Sequence, residues 1–112
     1  MTDDHTATVI DVTVACGSAD EARAIIRAVV DARLAACGQT WPITSCYRWR
    51  GEIAVDGEHL LLFKTLAEHF DAICAVIRAN HSYELPAIAA VPLSRAGPGY
   101  VDWIVESTRP VA

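Results

Sequence analysis

A cysteine and a histidine are the residues whose types and positions best suit chemistry. Cys16 ends a segment of alternating apolar residues, just before the predicted start of a helix. The partial positive charge at a helix N-terminus lowers the pKa of a thiol, and the thiolate is the form that binds soft metals. His81 lies in a predicted loop beside Asn80, Tyr83 and Glu84. An imidazole in such a loop can bind a metal, carry a proton or cap the preceding helix.

The same residues also have structural interpretations. Cys16 continues the apolar face of its strand, where a cysteine acts as a small buried hydrophobe. The other cysteines are widely spaced and form no Cys-x-x-Cys pair, which favours structural roles and reduced thiols: Cys37, Cys46 and Cys74. A nucleophilic pair of Cys16 with His81 is conceivable, but the spacing alone does not show that the two residues meet.

A second group of residues could bind a small molecule. Lys64, at the predicted end of the third strand, could converge at one edge with Tyr83 and Glu84, where its ammonium group would hold a carboxylate or phosphate. The alternative is a structural ion pair between Lys64 and Glu84. The tryptophans are more typical of packing or interface anchors than of a nucleotide stack: Trp41, Trp49 and Trp103.

The motifs of several common enzyme and cofactor classes are missing from the sequence. It contains no glycine-rich phosphate loop, no Gly-x-Ser-x-Gly, no His-Glu-x-x-His and no aspartate-rich calcium loop. Because no set of nucleophile, base and orienting group can be assigned, we predict that the chain is not an enzyme.

Two capping boxes mark the helices that would position these residues. An alternating strand over Thr8–Cys16 precedes the box Ser18–Glu21, which predicts a helix ending near Ala36. A second box, Thr65–Glu68, predicts a helix ending near Asn80. Both helices carry an apolar stripe at helical spacing, so we expect them to pack against the strands.

A long hairpin is predicted between the two helices. Strand-forming residues over Gln39–Arg50 lead to a turn at Arg50-Gly51, and a second extended run reaches Thr65. Pro42 predicts an edge position or a bulge for the first of these strands, and Gly57 predicts a bulge in the second. Both strands exceed the usual length of about 5–6 residues. One short helix cannot cover them, so the outer half of the hairpin needs a partner.

The remaining elements complete an α+β fold. The sequence predicts a fourth strand over Ala87–Leu93 and, after Gly97-Pro98-Gly99, a short terminal helix that begins at Tyr100. The order βαββαβ with a C-terminal helix predicts a ferredoxin-like sandwich whose helices cover one face of the sheet. We assign residues 8–112 to this single domain and residues 1–7 to a disordered N-terminal tail.

Composition favours an oligomer. Of the 112 residues, 53% are hydrophobic, against about 45–50% in average soluble chains. A domain this small buries only about two-thirds of its unfolded surface, so a lone protomer exposes apolar surface. No apolar run approaches the roughly 20 residues of a membrane span, and the N-terminus does not resemble a secretory signal. The net charge of −5 argues against nucleic acid. We therefore predict a cytoplasmic oligomer with no membrane or nucleic-acid partner.

Five short motifs occur in order along the chain: Arg33–Cys37, Tyr47–Gly51, Leu61–Thr65, His81–Pro86 and Tyr100–Trp103. Together they resemble the CutA family of divalent-cation tolerance proteins, over about Val9–Ser107. The resemblance implies a ferredoxin-like homotrimer, with strands of neighbouring subunits joined around a three-fold axis, and a link to metal tolerance, especially copper.

The resemblance also implies where the functional sites lie. The family's metal site is placed at a cysteine ending the first strand and at a histidine after the second helix, which Cys16 and His81 match. We predict a homotrimer that binds copper or another divalent cation and serves metal-ion tolerance. The family is similar in architecture to the P-II-type signalling trimers, which implies an alternative, a regulatory trimer with a small molecule in the cleft between subunits. That cleft would be lined by Tyr47, Trp49, Lys64, Tyr83, Glu84 and Trp103. A third alternative is an assembly role without any ligand.

Overall fold

Four strands and three helices make up the computed structural model, which describes residues 7–111. The strands are β1 (Val9–Cys16), β2 (Cys37–Trp49), β3 (Glu52–Leu66) and β4 (Ala89–Pro92). The helices are α1 (Ala19–Asp31), α2 (Phe70–Asn80) and α3 (Tyr100–Ser107), and a 3₁₀ turn at Ala67–His69 leads into α2. Residues 1–6 of the predicted N-terminal tail lie outside the described residues, as does Ala112.

The strands form one antiparallel sheet in the order β2-β3-β1-β4. The predicted α+β class is confirmed. Because β2 lies at an edge of the sheet, the edge position predicted from Pro42 is confirmed as well.

The hairpin of β2 and β3 is continuous in register. Pairing runs without interruption from Cys37 opposite Lys64 to Trp49 opposite Glu52. Arg50 and Gly51 have φ values of 51° and 83°. Two successive positive φ values are typical of the tight two-residue turns that match the twist of a hairpin. The turn was therefore predicted correctly, whereas the predicted bulge was wrong, since Gly57 pairs with Thr44 within the same register.

The two predicted capping boxes have opposite outcomes. Ser18 Oγ accepts the backbone N–H of Glu21 at 3.1 Å, so the predicted N-cap is confirmed, while the Glu21 carboxylate accepts the N–H of Gly17 at 3.4 Å. The second prediction was wrong, because Thr65 lies inside β3 and its hydroxyl donates to the carbonyl oxygen of Leu34 at 2.5 Å. That bond holds Thr65 in the sheet, and α2 begins only at Phe70.

The first helix ends earlier than its sequence pattern predicts, at Asp31 rather than near Ala36. Arg33 has a φ of 61° and its N–H donates to the carbonyl oxygen of Val30 at 2.9 Å. A residue in this left-handed conformation closes a helix C-terminus, and glycine usually supplies it. The guanidinium of Arg33 also donates to the carbonyl oxygen of Glu106 at 3.0 Å, which ties α1 to the end of α3.

Helices lie on both faces of the sheet. The main core forms under α1 and α2, where alternate residues of β1 and β3 such as Val12 and Phe63 are fully buried. On the opposite face, Ile104 of α3 packs with Val9 and Leu66 in a second cluster. The third helix thus covers one end of the face that the sequence analysis left without helices, and the remainder of that face carries the cleft described next.

Candidate functional site

Cys16 ends β1 and its side chain is fully buried. The thiol donates to the carbonyl oxygen of Ser18 at 3.5 Å. Burial raises the pKa of the Cys16 thiol, and the negative charges of Glu21 and Glu58 raise it further. The prediction of a lowered pKa was wrong, because the loss of water around the thiolate outweighs the helix N-terminus. Burial of Cys16 therefore disfavours the thiolate that a metal would need.

His81 follows α2 and is also fully buried. Its Nδ1 accepts the backbone N–H of Tyr83 at 3.0 Å, and its Nε2 lies 2.8 Å from the carbonyl oxygen of Ala15. Because a carbonyl oxygen only accepts, we assign the ring proton to Nε2. The second of these bonds places His81 beside the residue that precedes Cys16. The structure thus brings the two predicted metal ligands to one end of the sheet, with both nitrogens of His81 already hydrogen-bonded.

Glu21 connects α1 to the loop after His81. Its carboxylate accepts the backbone N–H of Ser82 at 2.5 Å and the Ser82 hydroxyl at 3.2 Å. Burial alone would raise the pKa of the Glu21 carboxyl, but these bonds, together with His81 and the N–H of Gly17, lower it overall. The sequence analysis assigned Glu21 only to a capping box. Its contact with Ser82 joins residues far apart in the chain, which no local pattern indicates.

A hydrogen-bonded tyrosine–glutamate pair, in which only the glutamate is buried, borders the same end of the sheet. Tyr83 Oη donates to Glu58 Oε2 at 2.5 Å, and Glu58 is only 7% exposed. Burial, followed by the hydrogen bond and charge of Glu58, raises the pKa of the Tyr83 phenol. The sequence analysis missed Glu58. The available signal was a carboxylate placed two residues before the apolar run Leu60–Phe63.

A cleft of about 940 Å³ lies between the hairpin and the loop before β4. Four of the six residues predicted to bind a small molecule line it: Tyr47, Trp49, Tyr83 and Glu84. The other lining residues are Ala15, Ser45, Cys46, Glu58, Leu85, Pro86, Ala87 and Ile88. Aromatic rings next to carboxylates and a mostly apolar wall are typical of small-molecule pockets.

Lys64 and Trp103 lie elsewhere. Lys64 pairs with Asp11 toward the other end of β1, where its Nζ is 5.9 Å from the centroid of the Tyr100 ring. Glu84 instead forms an ion pair with Arg50 at 2.7 Å between exposed side chains. The predicted convergence of Lys64 with Glu84 was therefore wrong. Trp103 lines a second cleft, beside α1 and the start of β2.

The possible metal donors are few. Across residues 7–111, no three side chains among His, Cys, Asp and Glu converge as a metal cage. All four cysteines are unpaired: Cys16 and Cys74 are buried, Cys37 is half-buried and Cys46 is exposed. None of the helices in this part of the chain is long and apolar enough to span a membrane.

The family model described as "CutA1 divalent ion tolerance protein" matches residues 10–107. The chain belongs to the CutA1 family. The resemblance carried by the five motifs is thereby confirmed.

CutA1 relatives match most of the chain. The divalent-cation tolerance protein CutA of Thermus thermophilus is 42% identical over 92 residues, which cover 81% of this chain and 89% of that protein. The protein of the same name from Archaeoglobus fulgidus is 36% identical over 80% of this chain and 88% of its own length. Mouse Protein CutA is 38% identical over 88% of this chain, but the match covers only 56% of that longer protein.

Solved CutA structures share the fold. The A. fulgidus structure, whose description calls that protein periplasmic, has a TM-score of 0.88 at 32% identity and covers 90% of this chain and 99% of its own. The T. thermophilus structure has a TM-score of 0.87 at 39% identity, with the same coverage. The names of these CutA proteins refer to cation tolerance and are not enzyme names.

Proposed function

We propose that this CutA1 chain is a homotrimer that binds a soft transition metal, copper first, and serves metal-ion tolerance. The observation that supports the proposal is that Cys16 and His81 lie at the same end of the sheet. His81 Nε2 lies 2.8 Å from the carbonyl oxygen of Ala15, the residue bonded to Cys16. The names of the T. thermophilus and A. fulgidus relatives support the tolerance role.

The donor chemistry fits copper in its reduced state. Thiolate sulfur selects Cu(I), imidazole nitrogen suits copper, and neither is the oxygen ligand that Mg²⁺ or Ca²⁺ prefers. The Cys16 thiol must lose its proton to bind a metal, and burial raises its pKa. Binding therefore releases a proton, and the affinity rises with pH.

A Cu(I) titration against a competing chelator, on fully reduced protein, tests this proposal. We expect about one Cu(I) per protomer, binding that is lost in Cys16→Ser and binding that is retained in Cys46→Ser. Cys46 is the matched control because it is the exposed cysteine, and exposed thiols take up copper nonspecifically. Unchanged uptake in Cys16→Ser, or loss in Cys46→Ser alone, would contradict a dedicated site.

The homotrimer is supported by an unpaired strand edge and by apolar side chains that a single protomer leaves exposed to solvent. The edge strand β2 has 13 residues, and large apolar side chains on the hairpin are exposed, among them Trp41 at 41% and Trp49 at 43%. Unpaired edges and exposed apolar patches are typical of surfaces that bind another chain. Analytical ultracentrifugation should give about three times the protomer mass, and a monomer at micromolar concentration would contradict the proposal.

The cleft favours a second candidate, a P-II-like regulatory trimer that binds a small molecule. Tyr47, Trp49, Tyr83 and Glu84 line its volume of about 940 Å³, which is the size of a ligand pocket. A ligand there should change tryptophan fluorescence without metal, and the change should vanish in Trp49→Phe but persist in Trp103→Phe. A flat response across a panel of metabolites would count against this function.

Three further assignments belong to the same proposal. The strand order β2-β3-β1-β4, with α1 and α2 as the connections on one face, supports a ferredoxin-like topology. The unpaired cysteines support a reducing cytoplasmic location, although the A. fulgidus relative is described as periplasmic. Cell fractionation would distinguish a cytoplasmic from a periplasmic location. The absence of enzymatic activity and of nucleic-acid or membrane partners is supported by the missing motifs and the acidic charge.

A further inference from the structure

A second imidazole borders the end of β1. In the register of β1 with β3, His59 is the residue directly opposite Cys16. Directly opposed residues of an antiparallel pair share one face of the sheet, with Cβ atoms about 4.5–5.5 Å apart. Cys16 belongs to the core under α1 and α2, so His59 neighbours the thiol on that face.

The hydrogen bonding of His59 differs from that of His81. Nδ1 of His59 is buried and has no hydrogen-bond partner within residues 7–111. A buried polar atom without a partner lowers stability, so a ligand that satisfies it is favoured. Both nitrogens of His81 are bonded, to the N–H of Tyr83 and the carbonyl of Ala15. A metal on His81 would break at least one of these bonds, whereas a metal on His59 Nδ1 would break none.

We infer that His59, rather than His81, supplies the nitrogen ligand to a soft metal ion bound by Cys16. The inference rests on the proposed metal-binding function and names a ligand of the same site. The Cys16 thiol gives its proton to solvent as the metal–sulfur bond forms, and His59 Nδ1 donates its lone pair while Nε2 keeps the ring proton. No electron is transferred. One sulfur and one nitrogen suit Cu(I), which thiolate ligands select. His81 then acts as a positioning residue that holds the end of β1.

His69 is the matched control. Its Nε2 is likewise buried without a partner in the described part of the chain. It lies, however, in the 3₁₀ turn after β3, beyond the β3 residue that pairs with Val9 at the start of β1. If an unpaired imidazole nitrogen alone were enough to attract copper, both histidines would bind it. If the neighbouring thiol is required, only His59 does.

Chelator-competition titrations with Cu(I) on reduced wild type, His59→Gln, His69→Gln and His81→Gln test the assignment. We expect His59→Gln to weaken binding by about tenfold or more, because loss of even an outer-shell partner of a metal ligand costs about 10–100-fold in affinity. His69→Gln should bind Cu(I) as tightly as wild type. X-ray absorption at the copper edge should show scattering from a bound imidazole in His81→Gln but not in His59→Gln. Wild-type affinity in His59→Gln, or loss of the imidazole pattern only in His81→Gln, would overturn the inference.

A second measurement requires no variant. In protein labelled with ¹⁵N-histidine, the Nδ1 resonance of His59 should shift on addition of Cu(I), while both nitrogens of His81 keep their metal-free shifts. A shift confined to His81 would overturn the inference even if a His59 variant did not fold. Failure of the proposed function has a different signature, because wild type would then bind no stoichiometric Cu(I) at all.

Discussion

The two ends of β3 lie in contrasting environments. Toward its C-terminal end, Phe63 is fully buried under α1 and α2, whereas Val55, near the hairpin turn, is 63% exposed. Both residues are large and apolar and occupy the same face of the strand, so local sequence does not separate them. The difference shows that alternation predicts a strand but not what covers it. The helix-covered body buries its large apolar side chains, whereas the outer hairpin leaves its own exposed.

Substitutions in the two regions should differ most in their effect on stability. Phe63→Ala should lower the free energy of unfolding by about 3–5 kcal/mol, because a fully buried ring leaves a cavity. Val55→Ala in dilute protein should change it by less than about 0.5 kcal/mol. Denaturant unfolding at several protein concentrations measures both. An equally large loss in dilute Val55→Ala would break the comparison.

Two glycines give a finer contrast between the regions. A Cβ on Gly38 would lie 2.7 Å from Cγ2 of Ile26 and 3.2 Å from the Phe63 ring, whereas a Cβ on Gly57 meets nothing within 4 Å. Gly38→Ala should therefore cost about 1–3 kcal/mol through overpacking. Gly57→Ala should be neutral or slightly stabilising. Thermal unfolding measures the difference in stability between the two variants, and equal midpoint temperatures would contradict this account.

The pH dependence of stability should report the contact between α1 and the loop after His81. Ionised Glu21 is stabilised in the folded state, since its pKa is lowered. Its contribution is complete above the unfolded pKa of about 4.3 and is lost as pH falls through the lower folded value. Glu21→Gln should be less stable than wild type at pH 7, and the gap should narrow below about pH 4. Glu84→Gln, at an exposed ion pair, should show little gap at either pH.

The reaction rates of the cysteines should differ between the hairpin and the helix-covered body, and they can be measured on the unmutated protein. Cys46 of the hairpin is exposed, whereas Cys74 of α2 is buried and burial raises its pKa. Because the thiolate is the reactive form, Cys46 should react with a thiol reagent at pH 8 at least about tenfold faster. Peptide mass spectrometry after timed quenching assigns each rate. Protection of Cys46 that disappears on dilution would place the hairpin inside the interface of the proposed homotrimer.

Features set by neighbouring residues could be predicted from the sequence. The alternation of β1, the cap at Ser18 and the turn at Arg50-Gly51 each depend on a few consecutive side chains. The second capping box failed because the Thr65 hydroxyl bonds to Leu34, a residue far away in the chain. The end of α1 was missed because Arg33, not a glycine, takes the left-handed conformation.

The features of the candidate site also depend partly on the local sequence and partly on contacts that only the fold creates. Only the family resemblance, and not the spacing of the residues, implied that Cys16 and His81 lie at one site. The pKa of Cys16 depends on burial that the fold creates, and the position of Lys64 depends on strand register. The neighbour of His59 across the sheet is known only once β1 is paired with β3, so the sequence gives no reason to select this histidine.

The uninterrupted hairpin register also bears on the order in which the chain folds. Pairing can begin between Trp49 and Glu52, adjacent to the turn, and zip outward through short loops that close quickly. Joining β4 to β1 requires Ile10 to meet Pro92, which encloses most of the chain in one loop. We therefore expect the hairpin to form early. A segment whose large apolar side chains stay exposed in the folded protomer is then also the first to acquire its native shape.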